Sequence, residues 1–140
     1  MLIPKRTKFR KYQKGRVKGI ECTSNKLKFG IYGIKALEGG RITASQIESV
    51  RLAVVRKVRK SGRLWIRIFP DISVTSKPVE VRMGRGKGSI DYWCTRVRPG
   101  KVLFELDGVT FDIAKEVLSS ACFKLPIKAK FFCESYVSNI

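Results

Sequence analysis

Residues 81–89 read VRMGRGKGS, so three cations and three glycines fall within residues 82–88. This stretch lies between two runs with the composition of β-strands, Leu64–Phe69 and Ile90–Val97. Glycine adopts backbone conformations closed to other residues and lets a partner approach the main chain closely. Cations spaced by glycines therefore favour a flexible loop that lies against phosphate groups, and a solvated hairpin turn is the alternative. We refer to residues 71–90 as the glycine-rich loop.

Neither common nucleotide-binding pattern fits this loop. A Walker loop requires Ser or Thr after Gly-Lys, whereas Gly86 and Lys87 are followed by Gly88. A dinucleotide fingerprint has glycines at its first, third and sixth positions, and Gly84 and Gly86 are followed by Ser89 at the sixth. The loop is therefore not predicted to form a nucleotide pocket.

The charge of the chain is large and unevenly distributed. The 140 residues include 30 Lys and Arg against 11 Asp and Glu, a net charge of +19. Residues 1–101 carry 26 of the basic and 6 of the acidic residues, whereas residues 102–140 are almost neutral. Self-repulsion of this size destabilises a small domain unless a polyanion neutralises it. The candidate partners are nucleic acid and an anionic membrane surface.

Catalysis has little support in the sequence. The chain has no histidine, its carboxylates are scattered, and Cys22, Cys94, Cys122 and Cys133 form no Cys-x-x-Cys pair. We therefore predict no enzyme activity, no metal site and no cofactor, and keep a metal-dependent nuclease as the enzyme alternative. Cys94, Cys122 and Cys133 lie in apolar runs, which predicts that they are buried.

The first 20 residues form a basic arm without a helical or strand period. The arm contains no acidic residue, and its composition predicts disorder in isolation and order on a polyanion. Its aromatic side chains could stack on unpaired bases. Its candidate contacts are Lys5, Arg6, Lys8, Phe9, Arg10, Lys11, Lys14, Arg16 and Lys18.

A basic helix is predicted from Ala44 to about Lys60. Thr43 and Gln46 have the spacing of a capping box, and Gly62 provides the stop. The apolar residues at helical spacing are Ala44, Ile47, Val50, Val54 and Val58. They are mostly small or β-branched, which favours packing on a sheet over insertion into a membrane. Cations off this stripe, and just beyond the helix, are further candidate phosphate contacts: Arg51, Arg56, Arg59, Lys60, Arg63 and Arg67.

The remaining elements predict an α+β fold. Glu38–Gly40 reads as a turn, and a second helix is predicted over Phe111–Lys124, with Ile113 on its apolar stripe. Strands are predicted over Leu27–Ile34, Leu64–Phe69, Ile90–Val97, Val102–Leu106 and Ile127–Cys133. We expect two helices packed against one mixed sheet, in a single domain over residues 1–140.

Several segments together resemble one known family. The opening MLIPKRTKFRK at residues 1–11 is similar to the N-terminus of the sixteenth protein of the bacterial-type large ribosomal subunit. The resemblance continues through GRIT at 40–43, WIRIFPD at 65–71, RMG at 82–84 with GKG at 86–88, PGKVLFE at 99–105 and KLPIK at 124–128. It covers nearly the whole chain.

This resemblance implies a fold of the α/β-hammerhead type and a structural role in the ribosome. It implies partners: large-subunit rRNA, aminoacyl-site tRNA and neighbouring ribosomal proteins, with no membrane. The loop that reaches towards the peptidyl-transferase centre would comprise Arg82, Met83, Gly84, Arg85, Gly86, Lys87 and Gly88. A non-ribosomal RNA-binding protein remains the alternative, beside the nuclease.

The compartment is predicted from weaker features. The resemblance begins at Met1 with no leader, as in a bacterium or in a chain made inside an organelle. The four cysteines favour an organelle, and residues 35–41 lack the form typical of chloroplast members. We therefore expect the mitochondrial matrix ahead of the plastid stroma or the bacterial cytoplasm.

Overall fold

Residues 2–59 and 61–133, which the computed structural model describes, form two helices and seven strands. The strands belong to two separate sheets, and the helices pack on each other and on both sheets. In chain order the elements are β1 (Tyr32–Ala36), β2 (Gly40–Thr43), α1 (Ala44–Val58), β3 (Arg63–Ile66), β4 (Ile72–Ser76), β5 (Ser89–Val97), β6 (Val102–Asp107), α2 (Phe111–Cys122) and β7 (Ala129–Cys133).

The first sheet has four strands in the order β3-β6-β1-β7. The second has three strands in the order β2-β5-β4. All of the described strand pairs are antiparallel. The predicted α+β class with two packed helices is confirmed, but the expectation of one mixed sheet is corrected to two antiparallel sheets.

The core lies between the helices and the sheets. The five apolar residues predicted for the first helix are all buried, at the spacing that places them on one face of α1. From the four-stranded sheet, Ile34, Phe104 and Leu106 are fully buried against the helices. From α2, Ala114, Val117, Leu118 and Ala121 complete the cluster. Ile113 was expected on this stripe but is 46% exposed.

The start of α1 follows its sequence pattern. Thr43 Oγ1 accepts a hydrogen bond from Gln46 N at 3.3 Å, and Gln46 Oε1 accepts one from Thr43 N at 2.9 Å. This capping box satisfies two donors that a helix N-terminus otherwise leaves free. The helix ends at Val58, two residues before the predicted end, and Arg59 caps it with a φ of 54°.

The strand predicted over Leu27–Ile34 is shorter than expected and begins only at Tyr32. The backbone amides of Lys28, Phe29 and Gly30 instead donate to one carboxylate oxygen of Glu105. Amides that converge on one anion are not available for a strand ladder, which explains the late start of β1.

Two short strands occur where the sequence predicted turn or loop. Gly40, assigned to a turn, begins β2 and pairs with Val97. Residues 72–76 of the glycine-rich loop form β4 and pair with β5. Both are too short and too polar to show a strand period, so pairing with the long strand β5 decides them. Residues 77–88 remain as the connection between β4 and β5, and we call them the finger.

Candidate nucleic-acid interface

The finger extends from the β4–β5 hairpin into solvent. All side chains from Lys77 to Lys87 are exposed, and Met83 at its tip is 98% exposed. Three consecutive residues have positive φ: Gly84 at 96°, Arg85 at 55° and Gly86 at 84°. A Cβ on Gly84 or Gly86 would have no atom within 4 Å, so these glycines serve backbone conformation rather than packing.

The base of the finger is tightly constrained. A Cβ on Gly88 would lie 2.3 Å from the backbone oxygen of Ser76, so only glycine fits at this close approach. On the other side of the loop, Lys77 Nζ donates a hydrogen bond to Gly84 O. The finger therefore has a fixed base and an exposed tip.

The arm lies against the finger. Lys11 Nζ donates to Lys87 O at 2.7 Å, and Lys87 Nζ donates to Tyr12 O. These two segments are 75 residues apart in sequence. The contacts bring the basic arm and the basic loop into one surface.

All three strands of the second sheet hold the arm. Ser73 Oγ of β4 donates to Arg10 O at 2.8 Å. On β5, a terminal guanidinium nitrogen of Arg96 donates a hydrogen bond to Gln13 O at 2.6 Å. On β2, a terminal guanidinium nitrogen of Arg41 donates one to Gly15 O at 2.8 Å. The arm has no helix or strand, as predicted, but it is docked along this sheet. The cationic side chains of the arm, from Lys5 to Lys18, are exposed.

Arg41 and Arg96 were absent from the sequence-based site. They occupy directly opposed positions on β2 and β5. Like charges opposed across strands are destabilising unless another group compensates them. In the sequence, Arg96 lies within the run predicted as a strand over Ile90–Val97. Nothing in that run identifies the arm as the partner of Arg41 and Arg96.

The predicted contacts of the first helix lie in different environments. Arg56 and Arg59 are exposed at its C-terminal end, and Arg63 is exposed at the start of β3. Arg51 forms an ion pair with Glu48, and this hydrogen bond lowers the pKa of Glu48. Lys60 lies outside the described residues. The last turn of α1 therefore presents charge, whereas Arg51 is partly neutralised by its neighbour.

Arg67 is placed differently from the expectation of an RNA-facing cation. Its side chain is only 17% exposed, and it forms an ion pair with the fully buried Glu105. Its guanidinium also lies 5.1 Å from the ring centroid of Phe29, which stacks on Trp65. Arg67 and Trp65 thus belong to a structural cluster, because their neighbours are protein groups on the outer side of the first sheet.

Glu105 is the centre of this cluster. Burial on its own raises the pKa of its carboxyl group. The amides of Phe29, Gly30 and Lys28 and the guanidinium of Arg67 together outweigh that effect, so the pKa lies below its ordinary value of 4.5. The buried carboxylate stays ionised because three amides and one arginine solvate it.

Metal ligands are not clustered in the described part of the chain. Residues 2–59 and 61–133 contain no group of three or more Cys, Asp or Glu side chains that could hold a metal ion. Cys94 is buried and Cys122 is partly buried, and burial raises the pKa of the Cys122 thiol to about 11. Cys133 is exposed, contrary to the prediction that it is buried. Neither described helix is long and apolar enough to cross a membrane.

Comparison with known proteins identifies a family and close relatives in sequence. Residues 4–132 match the family model described as Ribosomal protein L16p/L10e. The chain is 59% identical to "Large ribosomal subunit protein uL16" of Bartonella henselae over 131 residues, which cover 94% of this chain and 96% of that protein. The protein of the same description from Bartonella bacilliformis shows the same identity and coverage. These relatives are bacterial and give no support to the expected mitochondrial location.

The matched region includes the described arm from residue 4 onward, the finger, both sheets and both helices. An identity of 59% over nearly the full length of both chains far exceeds what a shared fold alone requires. The chain therefore belongs to the L16p/L10e family of ribosomal proteins and is a structural component of the large ribosomal subunit, not an enzyme.

Proposed function

We propose that this protein binds large-subunit rRNA near the aminoacyl-tRNA site and helps to position tRNA beside the peptidyl-transferase centre. The observation that carries the proposal is the pair of contacts between the arm and the finger, through Lys11 and Lys87. They join two basic segments that are far apart in sequence, the arm and the finger, into one exposed surface. A surface of this kind suits a long polyanion better than a small ligand.

The arm and the end of α1 are the proposed rRNA contacts. The arm cations from Lys5 to Lys18 are exposed, and Phe9 is 60% exposed between them. Arg56, Arg59 and Arg63 would add contacts from the body. Cations of this density bind phosphates without reading sequence, which suits a fixed position on a folded RNA. We further propose that residues 1–140 form one domain. Neighbouring ribosomal proteins of the large subunit would be its protein partners.

The finger is the proposed element nearest tRNA. Among described residues, Arg82 and Arg85 form no ion pair, and the space around Gly84 and Gly86 is open. A loop with free guanidinium groups and exposed backbone can lie against two RNA segments at once. The fixed base at Gly88 would keep the tip in one direction.

The test replaces Arg82, Arg85 and Lys87 with Ala together. We expect the melting temperature to stay within about 2 °C of wild type, because the finger buries little apolar surface. We expect aminoacyl-site tRNA binding by subunits reconstituted with the variant to fall about tenfold or more. Loss of even one charge-assisted hydrogen bond removes roughly 1.5–3 kcal/mol.

A matched control replaces Lys115, Lys124 and Lys130, which are exposed cations of α2, its C-terminal end and β7. It changes the net charge equally but leaves the arm and the finger intact. We expect the control subunits to bind tRNA as wild type does. Equal binding by both triple variants, or a large loss of melting temperature in the finger variant alone, would contradict the proposal.

A further inference from the structure

A small polar cleft lies where the arm meets the end of β5. Its volume is about 270 Å³. Glu21 is its one acidic residue and Val17 its one apolar residue. Its walls carry five cations: Arg16, Lys18, Arg96, Arg98 and Lys101. The resemblance and the sequence pattern assigned Arg16 and Lys18 to a general RNA-binding arm, but nothing in them pointed to a cleft.

The positive charge of the cleft is only partly balanced within the described chain, by Glu21, whose pKa is lowered by a hydrogen bond from Thr23 and by the charge of Lys101. None of the five cations forms an ion pair with a described carboxylate. Glu21 is already engaged by its own turn, because its Oε1 accepts a hydrogen bond from Thr23 Oγ1 at 2.8 Å and others from the amides of Thr23 and Ser24. Five cations around so small a volume repel one another, so an anion in the cleft would stabilise the arrangement.

Arg96 supplies an independent observation. Its Nε is buried and has no hydrogen-bond partner among the described residues, although a terminal nitrogen donates to Gln13 O. Arg41 lies directly opposite on β2 and adds a further positive charge. A buried charged donor without an acceptor is unfavourable, because it has lost its hydration and gained no partner. Such a donor calls for an acceptor that the described residues do not supply, and a water molecule or an anion in the cleft could provide it.

The backbone of the arm also fits this arrangement. A Cβ on Gly15 would lie 3.3 Å from a terminal nitrogen of Arg96 and 3.4 Å from its central carbon. The arm therefore passes directly over the guanidinium, and Gly15, with a φ of 61°, allows that approach. Arg96 is held half-buried at the cleft, whereas Lys18 and Arg98 are exposed at it.

We propose that this cleft binds one phosphate group of the rRNA backbone. Guanidinium groups match the geometry of phosphate oxygens, and exposed cations beside a half-buried one would let a strand enter while one phosphate is desolvated. The inference rests on the proposed rRNA binding and makes it specific: several cations share a single phosphate. The arm would be clamped between that phosphate and the second sheet.

The test measures how rRNA affinity depends on salt. The logarithm of the association constant falls linearly with the logarithm of the salt concentration, and each phosphate contact makes this slope steeper by about 0.7–0.9. Replacing both Arg98 and Lys101 with Gln should make the slope less steep by about 0.7–0.9, one contact for two charges, because the proposal places the shared phosphate between these two cations and it is released when both are removed. Neither side chain has a hydrogen bond with the described residues, so the fold should be kept, and the melting temperature checks this.

A matched double variant, Lys115→Gln with Lys124→Gln, removes the same charge outside the cleft, and its slope should stay at the wild-type value. Two results would overturn the inference that the cations share one phosphate. In the first, the salt dependence weakens equally in both double variants. In the second, it weakens in the cleft variant by the amount expected for two phosphate contacts. If the wild-type chain did not prefer large-subunit rRNA to an unrelated RNA of equal length, the proposed function itself would fail.

A second experiment adds inorganic phosphate at constant ionic strength and measures the melting temperature. If phosphate raises the melting temperature of wild type and not that of the cleft variant, and the rRNA slope also falls, the cleft binds phosphate groups as proposed. If phosphate has this effect while the rRNA slope is unchanged, the cleft binds free phosphate and the assignment to the RNA backbone is wrong.

Discussion

Arg67 beside the four-stranded sheet and Arg96 in the three-stranded sheet are both partly buried arginines, but they have different partners. Arg67 pairs with the buried Glu105, which three backbone amides also solvate. Arg96 lies opposite Arg41, and both side chains donate hydrogen bonds to backbone carbonyls of the arm. The first sheet neutralises its buried charge internally. Among the described residues, the second sheet has no carboxylate that forms an ion pair with Arg41 or Arg96.

The comparison explains how one small chain carries a net charge of +19 and still folds. The four-stranded sheet, α1 and α2 supply most of the hydrophobic core. The three-stranded sheet supports the arm and the finger, which contribute little apolar burial. Most of the hydrophobic core and the proposed RNA contacts of the arm and the finger therefore lie on different sheets, and mutations in the two regions should have different effects.

The largest effect is expected at Glu105. Replacing Glu105 with Ala leaves the Arg67 charge unpaired and three amides unsatisfied in a buried site. Breaking a buried pair in this way costs about 3–5 kcal/mol, which should appear in the free energy of unfolding measured with urea. Glu116→Ala is the control, because it removes an exposed ion pair with Lys57 and should leave the urea midpoint near wild type. Equal losses in both variants would show that the buried pair of Glu105 and Arg67 contributes no more to stability than an exposed ion pair.

The same carboxylate predicts a pH dependence. The folded-state pKa of Glu105 lies below its ordinary value of 4.5, so folding favours its ionised form. Its contribution to stability is therefore fully present above the unfolded-state pKa and is lost as pH falls through the folded-state pKa. The difference in unfolding free energy between wild type and Glu105→Gln should narrow as pH falls below about 4.5. A difference that widens on acidification would show that the pKa shift has the opposite sign.

A smaller effect is expected for Arg41→Gln in the second sheet. This change removes one hydrogen bond to the arm at an exposed position, worth about 0.5–1.5 kcal/mol. The arm should therefore be cut several-fold faster by a protease, while the melting temperature of the body changes little. Lys28→Gln, an exposed change outside the arm's contacts, should leave the cleavage rate unaltered. An unchanged rate for Arg41→Gln would mean that the sheet does not hold the arm.

Local patterns predicted the elements that depend on neighbouring residues. The Thr43 capping box and the apolar stripe from Ala44 to Val58 identified α1, with its end misplaced by two residues. Strand-like composition between turn residues identified β5 and β6, and the density of glycine and cations identified the exposed finger. These signals suffice because capping, helical periodicity and turn formation are each satisfied within a few residues.

The incorrect strand prediction and the two strands that were not predicted have a different cause. The strand expected over residues 27–34 failed because three of its amides bind Glu105, about 75 residues away. β2 and β4 are too short to show a period and form because β5 lies between them. In both cases a distant partner overrode the local pattern, which sequence periodicity does not report.

By itself, the sequence determined the class of the fold, the amphipathic first helix, the excess of positive charge and the flexibility required of the finger, because composition and local spacing encode these properties. Only the tertiary structure decided which arginines are neutralised inside the protein and which are left for a partner. The reason is that an arginine's role depends on the groups it meets in space: Glu105 is 38 residues from Arg67, and the arm carbonyl that meets Arg96 is 83 residues away.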